Sequence, residues 1–185
     1  MARSVIGAVV TGQNGGSVPP SGVIPVVVPD DVVLARAAGL VVWAGAVTVY
    51  PQGFAFTLLT LFDTRQPGPP PASWALDVAE RGRMTWLEIG YSDGRRRAAD
   101  LNANTPRRQP GGPHLHMLDG LASYRPEGWD ISRWWATPLP PPGPVELAIH
   151  LNGETIPTGV GRLDGNALVS AAGGAEAVWL EPRTE

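Results

Sequence analysis

Apolar residues form two long runs in the first third of the chain, Leu40–Tyr50 and residues 54–62, with residues 51–53 between them. The runs are rich in β-branched and aromatic residues, the separating residues read Pro-Gln-Gly, and Thr alternates with Leu in the second run. These features favour two strands joined by a tight turn over one long helix. The side chains expected to face the core of this antiparallel hairpin are Phe54, Phe56 and one of Leu58 and Leu59.

Shorter apolar runs predict further strands, and Pro25 limits the first of them to the edge of a sheet. Asp93-Gly94 marks the turn of a second hairpin. The additional predicted strands are residues 23–28, 84–91, 95–101, 114–120, 129–137 and 145–151. Residues 74–80 fit either one helical turn or a short strand, and residues 102–113 have the composition of a long loop.

One short helix is predicted near the end of the chain, with Asp164 as its N-cap and Gly173-Gly174 as its stop. Together the elements predict an all-β fold: an antiparallel β-sandwich, of jelly-roll or immunoglobulin-like type, with a short C-terminal helix. We expect a flexible arm over residues 1–22, a single domain over residues 23–181 and a tail over residues 182–185. A chain of 185 residues suits one such domain.

Composition removes several function classes. The absence of cysteine excludes disulfides, thiolate zinc sites, iron–sulfur clusters and cysteine nucleophiles. A net charge of -3 gives no basic field for general nucleic-acid binding. No apolar run reaches the ~18–20 residues of a membrane helix, and residues 5–10 are shorter than the ~7–15 residues of a signal-peptide core. We therefore expect a cytoplasmic protein that does not contact membranes and has no general nucleic-acid binding.

A tryptophan-rich stretch followed by a proline run carries a family resemblance. Residues 129–135 read Trp-Asp-Ile-Ser-Arg-Trp-Trp and lead into Pro-Leu-Pro-Pro-Pro-Gly-Pro at residues 138–144. With residues 50–58 and the Ser-Asp-Gly-Arg turn at residues 92–95, this stretch resembles a family of actinobacterial proteins with no established activity. The resemblance covers about residues 23–179 and implies a compact all-β domain. It implies no catalytic residue.

Three histidines are the candidate metal ligands. His114 and His116 are two residues apart on a predicted strand, so their side chains point to one face and could chelate one divalent ion. His150, on another predicted strand, would be the third ligand, as in a cupin-like metal enzyme. The alternative is that all three are ordinary surface histidines without a cofactor. In the resembled family the stretch before the tryptophans is glycine-rich, so any role of His114 and His116 would belong to this chain.

The aromatic residues of the tryptophan-rich strand are candidates for partner or ligand binding, because exposed aromatic faces stack on sugars, bases and peptides. Alternation along a strand places Trp129, Ile131 and Trp135 on one face and Trp134 on the other. We assign the first set to the core, which leaves Trp134 facing outward near Tyr124. There it is either covered by the proline run or part of a binding surface.

Basic residues cluster at the second hairpin as Arg95, Arg96 and Arg97. Such a cluster could recognise phosphate or an acidic partner, and it is also typical of a solvated sheet edge that resists aggregation. Serine-nucleophile motifs, phosphate loops and dinucleotide fingerprints are absent from the sequence. The sequence therefore favours a non-catalytic domain that acts by binding or assembly with another protein, and the cupin-like metal enzyme is the alternative.

Overall fold

The computed structural model describes residues 18–37, 39–63, 65, 86–100, 112–124, 128–150 and 159–178. Twelve strands and one helix lie in these ranges. They are β1 (Val23–Ile24), β2 (Val26–Val28), β3 (Val32–Ala37), β4 (Leu40–Tyr50), β5 (Gly53–Phe62), β6 (Trp86–Gly90), β7 (Arg96–Asp100), β8 (His114–Tyr124), β9 (Trp129–Thr137), β10 (Pro144–His150), β11 (Gly159–Asp164), α1 (Gly165–Ala172) and β12 (Glu176–Ala177).

The strands form two main sheets that pack face to face. In the six-stranded sheet, β2 and β3 both pair with one side of β4, and the order continues through β5 and β9 to β8. The four-stranded sheet has the order β11-β10-β6-β7, and β1 pairs with β12 in a small separate sheet. Neighbouring strands run antiparallel. The protein is thus an antiparallel β-sandwich with a short C-terminal helix, which confirms the predicted fold class.

The main core lies between the inner faces of the two sheets. Phe54, Phe56 and Leu58 of β5 are buried in it, so the predicted core face of the first hairpin is confirmed. Leu147 enters from the four-stranded sheet, and Leu168 of α1 enters from one end. The sandwich therefore buries one continuous apolar layer, and the helix packs against it through Leu168.

The first hairpin pairs from Tyr50–Gly53 at the turn to Leu40–Phe62 at the far end. A bulge interrupts the pairing between Gly45 and Thr48, where Ala46 adopts a φ of 50°. Two residues of β4 are therefore out of register with β5 at this point, and the alternation of inward and outward side chains restarts beyond it.

The two sheets approach each other closely at both edges of the sandwich. A side chain on Gly159 of β11 would overlap the backbone carbonyl of Leu34 in β3, and one on Gly112 would overlap the carbonyl of Arg96. Glycine is needed at both positions because backbone meets backbone there.

The strands β3, β11 and the two-residue β12 were not predicted. Three apolar residues in succession break the alternation at the start of β3, and two glycines, at positions 159 and 161, weaken the strand pattern of β11. The predicted helix is confirmed, with the Asp164 carboxylate accepting a hydrogen bond from the Asn166 amide at 2.9 Å. The predictions for residues 74–80 and for the tail over residues 182–185 lie outside the described residues. So do those for most of the loop over residues 102–113 and for most of the arm over residues 1–22.

Candidate partner-binding surface

The tryptophan-rich strand β9 faces the opposite way from our prediction. Trp134 pairs with Phe56 of β5, shares its face, and is fully buried in the main core. Its indole nitrogen donates a hydrogen bond to the Ser132 hydroxyl at 2.9 Å. The predicted faces are therefore reversed: Trp134 points into the main core, and Trp129, Ile131 and Trp135 point to the outer face. The register with β5 decides the face, and a count of apolar residues does not.

Trp135 points to the outer face of the six-stranded sheet and is nevertheless fully buried. It packs with Tyr50 and Ala55, and Val23 and Leu118 lie against them. The Tyr50 and Trp135 rings meet edge to face, with centroids 5.4 Å apart. We call this second small core the covered end of the outer face, because the N-terminal strand β1 contributes to its cover.

Beyond a row that contains Gly45, Thr57 and Arg133, the same outer face carries apolar side chains again. Two cross-strand rows lie next to each other there, one through the paired positions Trp43–Leu59 and one through Val41–Leu61 of β4 and β5. We call these rows the open end. Its described members are Val33, Val41, Trp43, Leu59, Leu61, Trp129 and Ile131.

Several side chains of the open end remain in contact with solvent. Leu61 is 42% exposed and Val33 is 40% exposed, although both sit within a sheet. The Trp43 ring occupies the space beside Gly45 that a side chain there would fill, and its nitrogen donates to the Asp31 carboxylate at 3.1 Å. A contiguous apolar surface of this kind on a folded domain is typical of an interaction site.

Charged residues of both signs surround the open end. Arg36 lies beside Val41 at the β3 edge, and Arg133 pairs with Asp119 in the row on the opposite side of Trp43. Among the described residues neither Arg36 nor Arg133 forms an ion pair. The rim therefore offers two guanidinium groups, with the carboxylates of Asp31 and Asp119 close by.

The arginines of the predicted basic cluster at the β6–β7 hairpin have separate partners. Arg95 donates to Asp93 at 2.7 Å, and its guanidinium lies 5.4 Å from the centre of the Tyr91 ring. Arg96 donates to Glu88 and to Glu146, both at 2.9 Å. Arg97 pairs in register with Ile89 and so points to the other face of β7. The three arginines therefore do not form one basic patch.

Arg96 belongs to a charged row on the outer face of the four-stranded sheet. In that row Arg162, Glu146, Gly90 and Arg96 occupy successive strands. Gly90 lacks a side chain, so the Arg96 guanidinium crosses β6 to reach Glu146; an added Cβ would lie 3.2 Å from Nη1. Glu146 also accepts from Arg162 at 3.0 Å.

The ion pairs of this row shift the pKa values of its members. The hydrogen bond from Arg162, followed by that from Arg96, lowers the pKa of Glu146. The hydrogen bond to Glu88, followed by that to Glu146, raises the pKa of Arg96. Both arginines of the row are thus paired with carboxylates, Arg162 with Glu146 and Arg96 with Glu146 and with Glu88 of the neighbouring row.

The structure separates the three histidines between the two sheets. His114 and His116 lie on β8, at the edge of the six-stranded sheet. His150 lies on β10 of the four-stranded sheet, stacked on Trp86 at 4.9 Å, with Nε2 3.7 Å from a Glu88 oxygen. No set of three potential metal ligands comes together within the described ranges.

Tyr124 is the last residue of β8, and its backbone pairs with Trp129. Its side chain lies outside the described part of the structure. The backbone of Tyr124 therefore lies next to Trp129 at the open end, and not next to Trp134 as predicted.

Sequence reasoning missed the open end, although a signal for it was present. Leu40–Tyr50 is apolar at almost every position, so both faces of β4 carry apolar side chains. A strand with one face in water alternates instead. The predicted hairpin accounts for the core-facing side of this strand, but it does not say what packs against the other side.

Comparisons with protein-family models, curated proteins and solved structures found no match. The resemblance carried by residues 129–144 therefore stays a prediction. Within the ranges that the structure describes, no helix has the length and apolar character needed to cross a membrane.

Proposed function

We propose that this protein acts by binding or assembly with another protein molecule, and that the open end of the six-stranded sheet is the contact surface. The observation that supports this proposal is that apolar side chains occupy both ends of one outer face, with cover from β1 at one end and with Leu61 and Val33 exposed at the other. Burial of apolar area is the main favourable contribution to protein association.

The chemistry of the surface fits protein recognition. Trp43 is held in place by its ring contact over Gly45 and by its hydrogen bond to Asp31. A fixed aromatic side chain loses little conformational entropy on binding, and tryptophan and arginine are enriched among residues that dominate interface energies. Arg36 and Arg133 at the rim add directional polar contacts.

Site-specific photo-cross-linking tests the proposal. A benzophenone side chain is introduced at position 61 of the open end, with position 160 as the matched control, since Val160 is 55% exposed on the outer face of the other sheet. We expect discrete adducts to a protein molecule from position 61 in living cells and few from position 160. Equal yields from both positions, or no adducts from position 61, would contradict the proposal.

The cytoplasmic location stays a prediction, as does the lack of general nucleic-acid binding. The cross-linking experiment does not depend on either, because the adduct at position 61 is identified by its mass.

A further inference from the structure

Resting on the proposed function, we infer that the partner at the open end is a second copy of this chain, bound face to face about a two-fold axis that runs across the strands along the Val33–Trp43–Leu59–Ile131 row. The Val33–Trp43–Leu59–Ile131 row of each copy would then cover the same row of the other copy, and the Val41–Leu61 row of each copy would lie over the Gly45–Thr57 row of the other. The rim charges favour this arrangement, and the contact area sets its strength.

The rim charges complement themselves under this rotation. Asp31 and Arg36 lie at the same edge of the sheet, on opposite sides of the Val33–Trp43 pair, because β3 pairs with β4 from Val32–Ala44 to Arg36–Val41. A two-fold axis along the Trp43 row exchanges the two sides of that row. It therefore brings Arg36 of each copy to Asp31 of the other, and opposite charges meet twice.

The same rotation relates Arg133 and Trp129 on β9. Arg133 lies in the row on one side of Ile131, and Trp129 lies in the row on the other side. The rotation brings the Arg133 guanidinium of one copy over the Trp129 position of the second copy. Guanidinium groups stack favourably on indole rings. Apolar residues of the central row meet their own counterparts, as inner faces do in a sandwich.

The area of the contact sets the expected strength. Three rows, through Val41, Trp43 and Gly45, cross the strands β3, β4, β5 and β9 at this end. Four strands spaced at about 4.8 Å span about 19 Å, and three rows span about 20 Å along the strands, which gives about 400 Å² per copy. Two copies would bury about 800 Å², which is below the size of a stable interface and in the range of weak encounters. We therefore expect a reversible dimer that forms at micromolar or higher concentration and is absent at nanomolar concentration.

Sedimentation equilibrium of the purified chain over a wide concentration range tests the inference. The unmodified protein should show a monomer–dimer equilibrium. Leu61→Asp and, as a second variant, Val33→Asp should weaken the dimer at least tenfold, because each places a carboxylate inside the contact, where it would lose its hydration without gaining a cationic partner. Arg162→Glu, on the outer face of the other sheet, is the matched control and should leave the equilibrium unchanged. Circular dichroism verifies that each variant is folded.

A charge-reversal pair tests the axis. Arg36→Glu should weaken the dimer because the new carboxylate would meet Asp31 of the second copy, and adding Asp31→Arg should restore at least part of the affinity. A chain that stays monomeric at every concentration would overturn the inference, as would a dimer insensitive to Leu61→Asp or a double reversal that restores nothing. Adducts from position 61 to a different protein would leave the proposed function intact while overturning the second copy, whereas no adducts would overturn both.

Discussion

The outer faces of the two sheets differ in how their side chains are protected from solvent or adapted to it. On the four-stranded sheet, Glu146 accepts hydrogen bonds from arginines on both sides, so its charged row is satisfied within one molecule. On the six-stranded sheet, Trp135 is covered by the chain itself at one end, while Leu61 remains exposed at the other. The difference teaches that an outer face built from apolar residues needs cover, and that the described part of this chain provides it for only one end of the face.

Removal of the large aromatic side chains should have the greatest effect on stability. Trp135→Ala at the covered end should lower the free energy of unfolding by ~3–5 kcal/mol, as much as Trp134→Ala in the main core, because both side chains are fully buried. Chemical denaturation monitored by circular dichroism measures both values. A cost below ~1 kcal/mol for Trp135→Ala, with a large cost for Trp134→Ala, would mean that the covered end is not a second core.

Gly45 and Gly90 each lie next to a large side chain on an outer face, Trp43 for Gly45 and Arg96 for Gly90. Gly45→Ala should destabilise the protein by ~1–3 kcal/mol, because the new methyl group would occupy the space of the rigid Trp43 ring. Gly90→Ala should change stability by less than ~0.5 kcal/mol, because the flexible Arg96 side chain can shift. Thermal and chemical unfolding of both variants give the measurement, and equal effects would show that the indole is no more fixed than the guanidinium.

The smallest expected effect concerns the charged row and depends on pH. The folded-state pKa of Glu146 lies below its ordinary value, so its ion pairs stabilise the protein above that ordinary value of ~4.3 and stop doing so as the pH falls through the folded-state pKa. Glu146→Gln should cost less than ~1 kcal/mol at pH 7, because the row is solvated. This difference should disappear in acid and shrink in high salt.

Glu176→Gln on β12 is the matched control for this measurement, since the Glu176 side chain is exposed and forms no ion pair among the described residues. Its unfolding free energy should match that of the unmodified protein at each pH. A Glu146→Gln effect that persists unchanged at pH 3 would argue against the ion pairs as its source.

Local patterns predicted much of the fold. The hairpin of β4 and β5, the strand Trp129–Thr137 and the cap at Asp164 follow from β-branched runs, turn residues and capping chemistry that act over a few positions. These signals do not depend on the rest of the chain, so they can be read from the sequence.

The candidate surface depended on information that the local sequence lacks. Which face of β9 enters the core is decided by its pairing with β5, about 80 residues earlier in the chain. The separation of His150 from His114 likewise depends on which sheet each strand joins. Strand registry and sheet membership are properties of the whole topology, and one sequence without its relatives does not specify them.

The pairing of β5 with β9 also has a consequence for how fast the protein reaches this structure. Phe54 of β5 meets Ala136 of β9 across a long stretch of intervening chain, in the middle of the larger sheet. Closing such a loop costs entropy before the contacts it creates can compensate, and folding rates fall as the mean sequence separation of contacts grows. We therefore expect the β4–β5 hairpin to form early and the sheet to be completed on the millisecond-to-second timescale of other β-sandwiches.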